Sequence, residues 1–321
     1  MIRFSFSRVI LLWTLLSIAA ASAGPAAAAP TAPTRYRTVD VDGVRVFYRE
    51  AGDPAAPVVL LLHGYPTSSH MFRDLIPRLA ERYHVVAPDL PGFGFSAQPD
   101  RAAFTYTFAH LATVMTRFTE AAGLQRYAIY LFDYGAPVGL RMAMDHPERV
   151  AAIVSQNGNA YDEGLGPNWA RLRKIWAEPT EANRNSLRQG FSPEANVRRY
   201  LAGVPEADRP LVSPDSYTAD DAFLAHPGND QVQLDLLMDY GSNIALYPRF
   251  QEYLRTNRPP LLAIWGKHDP TFIPAGAEAF RRDLPEAEIH LLDAGHFALE
   301  TRGEEIADAM LAFLGKHLKA K

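Results

Sequence analysis

The sequence predicts an α/β fold: a mostly parallel, doubly wound sheet with a helical cap inserted late in the chain. Three observations carry that expectation. Short apolar runs of strand length alternate with longer stretches of helical spacing, the order that builds a parallel sheet covered by helices. The runs at 57–62, 84–87, 126–132, 150–155 and 261–265 are largely continuous in Val, Ile, Leu, Ala and aromatic residues. Such continuity suits strands buried on both faces, where a half-exposed strand would alternate. From Asn157 to about Pro259 the alternation stops and the residues turn helical, polar and aromatic, after which strand and helix resume.

Taken in order, the first 23 residues are a separate object. Arg3 and Arg8 give a positive start, Val9 to Ala20 an apolar run, and Ala21-Ser22-Ala23 the small residues of a cleavage site. That is the layout of a secretory signal peptide. Roughly a dozen apolar residues fall short of the about 20 a membrane span needs, so an uncleaved anchor fits less well. Cleavage near Ala23 would leave an Ala/Pro-rich tether over 24–34 and a secreted or periplasmic protein with no membrane attachment. The core is then expected in two parts, 35–156 and 260–321, on either side of a cap over 157–259. Asp42-Gly43 between Val39-Asp40-Val41 and Val44-Arg45-Val46-Phe47-Tyr48 is a two-residue hairpin signal. Helices are expected over about 69–82, 107–122, 136–144, 276–283 and 304–318, with a further strand over 287–292.

Composition removes several function classes. The 321 residues are 48% hydrophobic with a net charge of −4 and no basic run, so nothing marks a nucleic-acid surface. The absence of Cys excludes disulfides and thiolate zinc sites. The spacing of the histidines suggests no metal site, and His268 and His290 read as structural.

The chemistry concentrates where strand 126–132 meets helix 136–144 through Asp133-Tyr134-Gly135. Strand, tight turn with Gly two residues on, then helix is nucleophile-elbow geometry, which usually carries Ser. No Ser-x-Gly in a strand-to-helix setting occurs elsewhere in the mature chain, so the carboxylate of Asp133 is the candidate nucleophile. Each titratable residue has an ordinary reading by itself. Asp133 is a good helix cap, Asp269 before Pro270 initiates turns, and His296 is a hydrogen-bonding histidine. All three, however, fall at the carboxyl ends of parallel strands, the edge where such sheets bind ligands.

With His63-Gly64-Tyr65-Pro66 after the third strand and Gly92-Phe93-Gly94-Phe95-Ser96 after the fourth, the chain resembles the α/β-hydrolase superfamily over about residues 36–318. Asp269 after Trp265-Gly266-Lys267-His268 and His296 within Asp293-Ala294-Gly295-His296-Phe297 complete the pattern. An Asp nucleophile with His-Gly-x-Pro is similar to the branch of epoxide hydrolases and haloalkane dehalogenases. The resemblance implies a catalytic set of Asp133, Asp269 and His296, an oxyanion hole from the backbone N–H groups of Tyr65 and Tyr134, and an alkyl-enzyme ester hydrolysed by water. It implies no cofactor and no partner beyond a small-molecule substrate and water.

The leaving group discriminates within the branch. Tyr240 is the expected proton donor, with Tyr247 its rival; Trp176 stands where a first cap tyrosine would fall, as a hydrogen-bond donor or as plain packing. Tyr65 and Tyr134 replace the Asn and Trp that grip halide in many dehalogenases, and the carboxylate-binding arginines that fluoroacetate dehalogenases carry beside the nucleophile are missing. Leu131 is large where the elbow usually has a small residue. The expectation is therefore an epoxide hydrolase-like enzyme, with a haloalkane dehalogenase, an ester or lactone hydrolase, and a non-enzymatic small-molecule binder as alternatives.

Overall fold

Asp42 and Gly43 both adopt positive φ, 52° and 85°, the requirement of the two-residue turn whose twist matches a hairpin. The turn sets Val41 opposite Val44 and pairs β1 (Arg35–Val41) antiparallel with β2 (Val44–Ala51). The computed structural model describes residues 33–318, with Met1. The expected signal peptide and the tether through residue 32 lie outside the described residues.

The chain continues through β3 (Val58–Leu62), α1 (Leu75–Ala80), β4 (His84–Pro88), α2 (Phe108–Ala121), β5 (Tyr127–Phe132), α3 (Gly135–Asp145) and β6 (Val150–Gln156). Between β6 and the next sheet strand come α4 (Trp169–Ala177), α5 (Glu181–Asn185), α6 (Pro193–Leu201), α7 (Pro214–Leu224) and the long α8 (Asn229–Asn257). β7 (Leu261–Gly266), α9 (Ala275–Asp283), β8 (Glu288–Leu292) and α10 (Leu299–His317) close the fold. Strand order in the eight-stranded sheet is β1-β2-β4-β3-β5-β6-β7-β8, antiparallel through β2–β4 and parallel from there to β8.

The continuous apolar runs follow from two covered faces. Leu60, Leu62, Ile129 and Leu131 point into a core shared with α2, α3 and α8. Their neighbours Val59, Leu61, Tyr130 and Phe132 point the other way, into a core shared with α1 and α10. Alternation across the pleat puts successive residues of these central strands into one core or the other.

Two elements depart from expectation. The stretch 69–82 divides into a single 3₁₀ turn, Ser69–Phe72, and α1. Pro77 explains the break, because proline is tolerated in the first turn of a helix and not in its interior. α10 begins at Leu299, five residues before the predicted start, and bends at Arg302 (φ −133°, ψ 27°). Polar Thr301-Arg302-Gly303 concealed that first turn. α8 is shared: Val232, Leu236 and Tyr240 belong to the inserted region, while Phe250, Tyr253 and Leu254 pack beside α2 and α3. Its first turn is tied to the loop after β4, where the Asn229 amide donates to Gly92 O at 2.8 Å and Gln98 Oε1 at 2.9 Å.

Candidate active site

Asp133 ends β5 with φ +47°, a left-handed conformation that a non-glycine residue keeps only when its surroundings impose it. Two glycines make the imposition sterically feasible. A Cβ on Gly64 would sit 2.4 Å from Asp133 Cβ, and one on Gly135 would sit 2.5 Å from Leu62 O. The large Leu131 is accommodated one turn and a half into the following helix. Its Cδ2 occupies space that a Cβ on Gly139 would enter at 2.3 Å. The elbow thus keeps its close packing with the small residue moved from the strand to the helix.

The sharp turn presents the carboxylate to three other strand ends. Asp133 Oδ1 accepts from the backbone N–H of Tyr65 at 2.7 Å and of Tyr134 at 2.6 Å. Oδ2 faces His296 Nε2 at 3.6 Å. On the other side of the ring, His296 Nδ1 lies 2.6 Å from Asp269 Oδ2. Asp269 is held in turn by the Thr271 N–H on Oδ1 (2.7 Å) and the Asn157 amide on Oδ2 (2.7 Å). All three titratable groups are buried. Burial alone would depress the His296 pKa, but the carboxylates of Asp269 and Asp133 on either side outweigh it and raise it to about 9. The carboxylates on both sides thus favour the imidazolium form of the ring.

Asn157 is the residue that sequence reasoning missed. It follows β6 with φ +48°, accepts from the Gly266 N–H at 3.0 Å, and receives the Gln156 amide at 3.0 Å. Gln156 also donates to His296 O at 2.9 Å and accepts from Tyr130 Oη at 2.8 Å. This buried network locks the acid and the backbone of the histidine together. The available signal was two consecutive amides ending an otherwise apolar strand, at the sheet edge where ligands bind.

A cavity of about 450 Å³ opens above Asp133 and His296. Tyr65, Tyr134, Trp169, Leu237 and Thr271 are among its walls, with Arg171 and Arg199. A larger surface groove of about 730 Å³ beside Arg73 and Glu300 contains none of the expected site residues.

The expected leaving-group residues fall differently. Tyr240 is fully buried behind the cavity wall, its ring 4.5 Å from Trp169 and 5.8 Å from Tyr134. Burial, then the nearby Tyr247 and Asp133, hold its pKa well above the usual tyrosine range, so its phenol keeps its proton. Tyr247, its expected rival, is also buried, which raises its pKa, and its hydroxyl accepts from the Asn159 amide at 3.2 Å. The donor role expected of Trp176 is corrected. Its ring N–H donates to Leu237 O at 2.9 Å within the inserted helices, and the residue is not in the cavity wall. The ring N–H of Trp169 is likewise spent, on Thr271 O at 2.8 Å.

Comparison with known proteins agrees with this geometry at the level of the fold. Residues 57–303 match the family described as alpha/beta hydrolase fold. An uncharacterized hydrolase of Saccharomyces cerevisiae is 42% identical over 290 residues, covering 88% of this chain and 98% of the relative. Epoxide hydrolase A of Mycobacterium tuberculosis is 28% identical over 88% of this chain and 98% of its own length. A haloalkane dehalogenase of Mycobacterium marinum is 30% identical over 85% of this chain and 90% of its own. The chain is a hydrolase of the α/β-hydrolase fold family, with relatives named as epoxide hydrolases and haloalkane dehalogenases.

Proposed function

We propose that this hydrolase works without a cofactor through Asp133 as nucleophile, opening an epoxide by way of a covalent ester. The observation that carries the reading is the two-sided carboxylate: Oδ1 already holds two backbone N–H donors, while Oδ2 is free of backbone and faces the cavity histidine. Oδ2 attacks a ring carbon, the carbon–oxygen bond of the epoxide breaks, and Tyr240 gives its proton to the departing oxygen.

The ester removes the charge of Asp133, and with it part of what raises His296. The first step therefore lowers the pKa of the imidazolium, whose proton passes to solvent and frees the base the second step needs. That proton is taken back when Asp133 regains its charge. Water gives one proton to His296 and attacks Asp133 Cγ, and the oxyanion forms on Oδ1 between the Tyr65 and Tyr134 N–H groups. Removing one such donor typically raises a barrier by about 3 kcal/mol. Collapse expels the product alkoxide, which takes the proton from His296. The remaining water proton leaves the new carboxyl group and restores Tyr240. Asp269 holds the imidazole orientation throughout.

Epoxide is favoured over haloalkane because both indole N–H groups near the site, Trp169 and Trp176, are bound to carbonyls, while Tyr240, packed against Tyr134, keeps its proton. The 30% identical haloalkane dehalogenase keeps halide release as the second reading. Replacing His296 with Gln tests the covalent step: exposure to a reactive epoxide should add the substrate mass to the peptide carrying Asp133. A peptide of unchanged mass across epoxides and haloalkanes contradicts it. The amino-terminal pattern of Arg3, Arg8 and Ala21-Ser22-Ala23 supports export, checked by the amino-terminal sequence of the protein recovered outside the cytoplasm.

A further inference from the structure

We propose that the substrate carries a carboxylate, bound by Arg199 and Arg171 at the upper wall of the cavity. The inference rests on the Asp133 reading for its chemistry but not for its binding. Both arginines line the cavity. Arg199, half-buried on α6, lies over the ring of Tyr65 with its guanidinium carbon 4.9 Å from the ring centroid. It donates to Gly190 O at 2.8 Å and to Asn196 Oδ1. Arg171, exposed on α4, donates to the backbone and side-chain oxygens of Ser186, each at 3.2 Å. Every one of these acceptors is neutral.

Among the described residues no carboxylate lies within 4 Å of either guanidinium. That sets them apart from their neighbours: Arg173 pairs with Asp162, Arg184 with Asp235 and Arg188 with Asp230. Asp220 and Asp221, which act electrostatically on this wall, are held by the Tyr200 hydroxyl (2.6 Å) and the Asn196 amide (2.5 Å). The floor holds His296 between Asp133 and Asp269, so the two arginines are the cations of the cavity wall without a carboxylate partner, in a chain whose net charge is −4. The Tyr65 hydroxyl, buried beneath Arg199, has no hydrogen-bond partner, and a buried donor without an acceptor is unfavourable until one arrives.

A planar guanidinium presents paired donors that match a carboxylate. Leu172, Leu187, Phe191 and Leu237 line the same cavity and suit an apolar body behind the charge. The substrate class is thus a carboxylic acid with an apolar chain and the epoxide at the Asp133 end.

Binding is read without turnover, from hexanoate and hexanamide as ligands of the full chain by calorimetry, in the native protein and in Arg199→Gln, Arg199→Lys and Arg171→Gln. Hexanoate should bind at least tenfold more tightly than the amide. Arg199→Gln should erase that preference, Arg199→Lys should restore part of it, and Arg171→Gln should reduce it. Hexanoate binding no better than hexanamide, or a preference unchanged in both Gln variants, overturns the proposal. Absence of turnover with epoxy acids, alongside intact carboxylate binding, would instead count against the Asp133 chemistry.

Discussion

His296 is where charge, chemistry and stability meet. Its pKa in the folded chain is about 9 against about 6.5 for a free histidine. A group raised by folding contributes stability that is complete below about pH 6.5 and disappears as pH climbs through about 9. The contribution is roughly 3 kcal/mol. Denaturation of the native protein and of His296→Gln at pH 6 and pH 9.5 checks it: the native advantage should shrink at the higher pH, and a constant gap would exclude the raised pKa. At this scale Asp133, Asp269 and His296 were legible because only strand ends bring isolated polar residues to one edge. The Trp176 donor was not, because whether an indole N–H is free depends on which carbonyl packs over it. Asn157 escaped for a related reason, since a side chain that orients an acid has no spacing of its own.

The elbow shows how an element can keep its geometry with unusual residues. Leu131 fills the space that Gly139 leaves on α3, a compensation across eight residues that a motif of fixed small positions does not contain. Gly139→Ala should overpack the junction and cost about 1–3 kcal/mol. Leu131→Ala alone leaves a void, yet in combination with Gly139→Ala it should recover much of the loss. A double-mutant cycle by chemical denaturation measures the coupling, and strict additivity would mean the two side chains do not share that space. The strands and hairpin were readable from local pattern, whereas the start of α10 and the division at Pro77 depended on which polar turns the tertiary packing would tolerate.

For the molecule as a whole, the parallel sheet was predictable because burial on both faces writes itself into continuous apolar runs. The arrangement of α4 to α8 was not, since their faces answer to one another and to a cavity more than to a sheet. Asn229 is one tie between the inserted helices and the core, with its amide on Gly92 O and Gln98 Oε1. Asn229→Ala leaves the buried Gly92 carbonyl without that donor and should cost about 1–3 kcal/mol. It should also lower kcat/KM by loosening the cavity roof; a variant as stable and as active as the parent would show that this tie does not hold the roof.

The central claim, that Asp133 becomes an ester and is then hydrolysed at its own carbonyl, is tested most directly by one turnover in heavy-oxygen water with enzyme in excess. The account predicts that the label enters the Asp133 carboxylate and that the diol product is unlabelled. Label found only in the product, with Asp133 unchanged, would mean that water attacks the substrate directly and would contradict it.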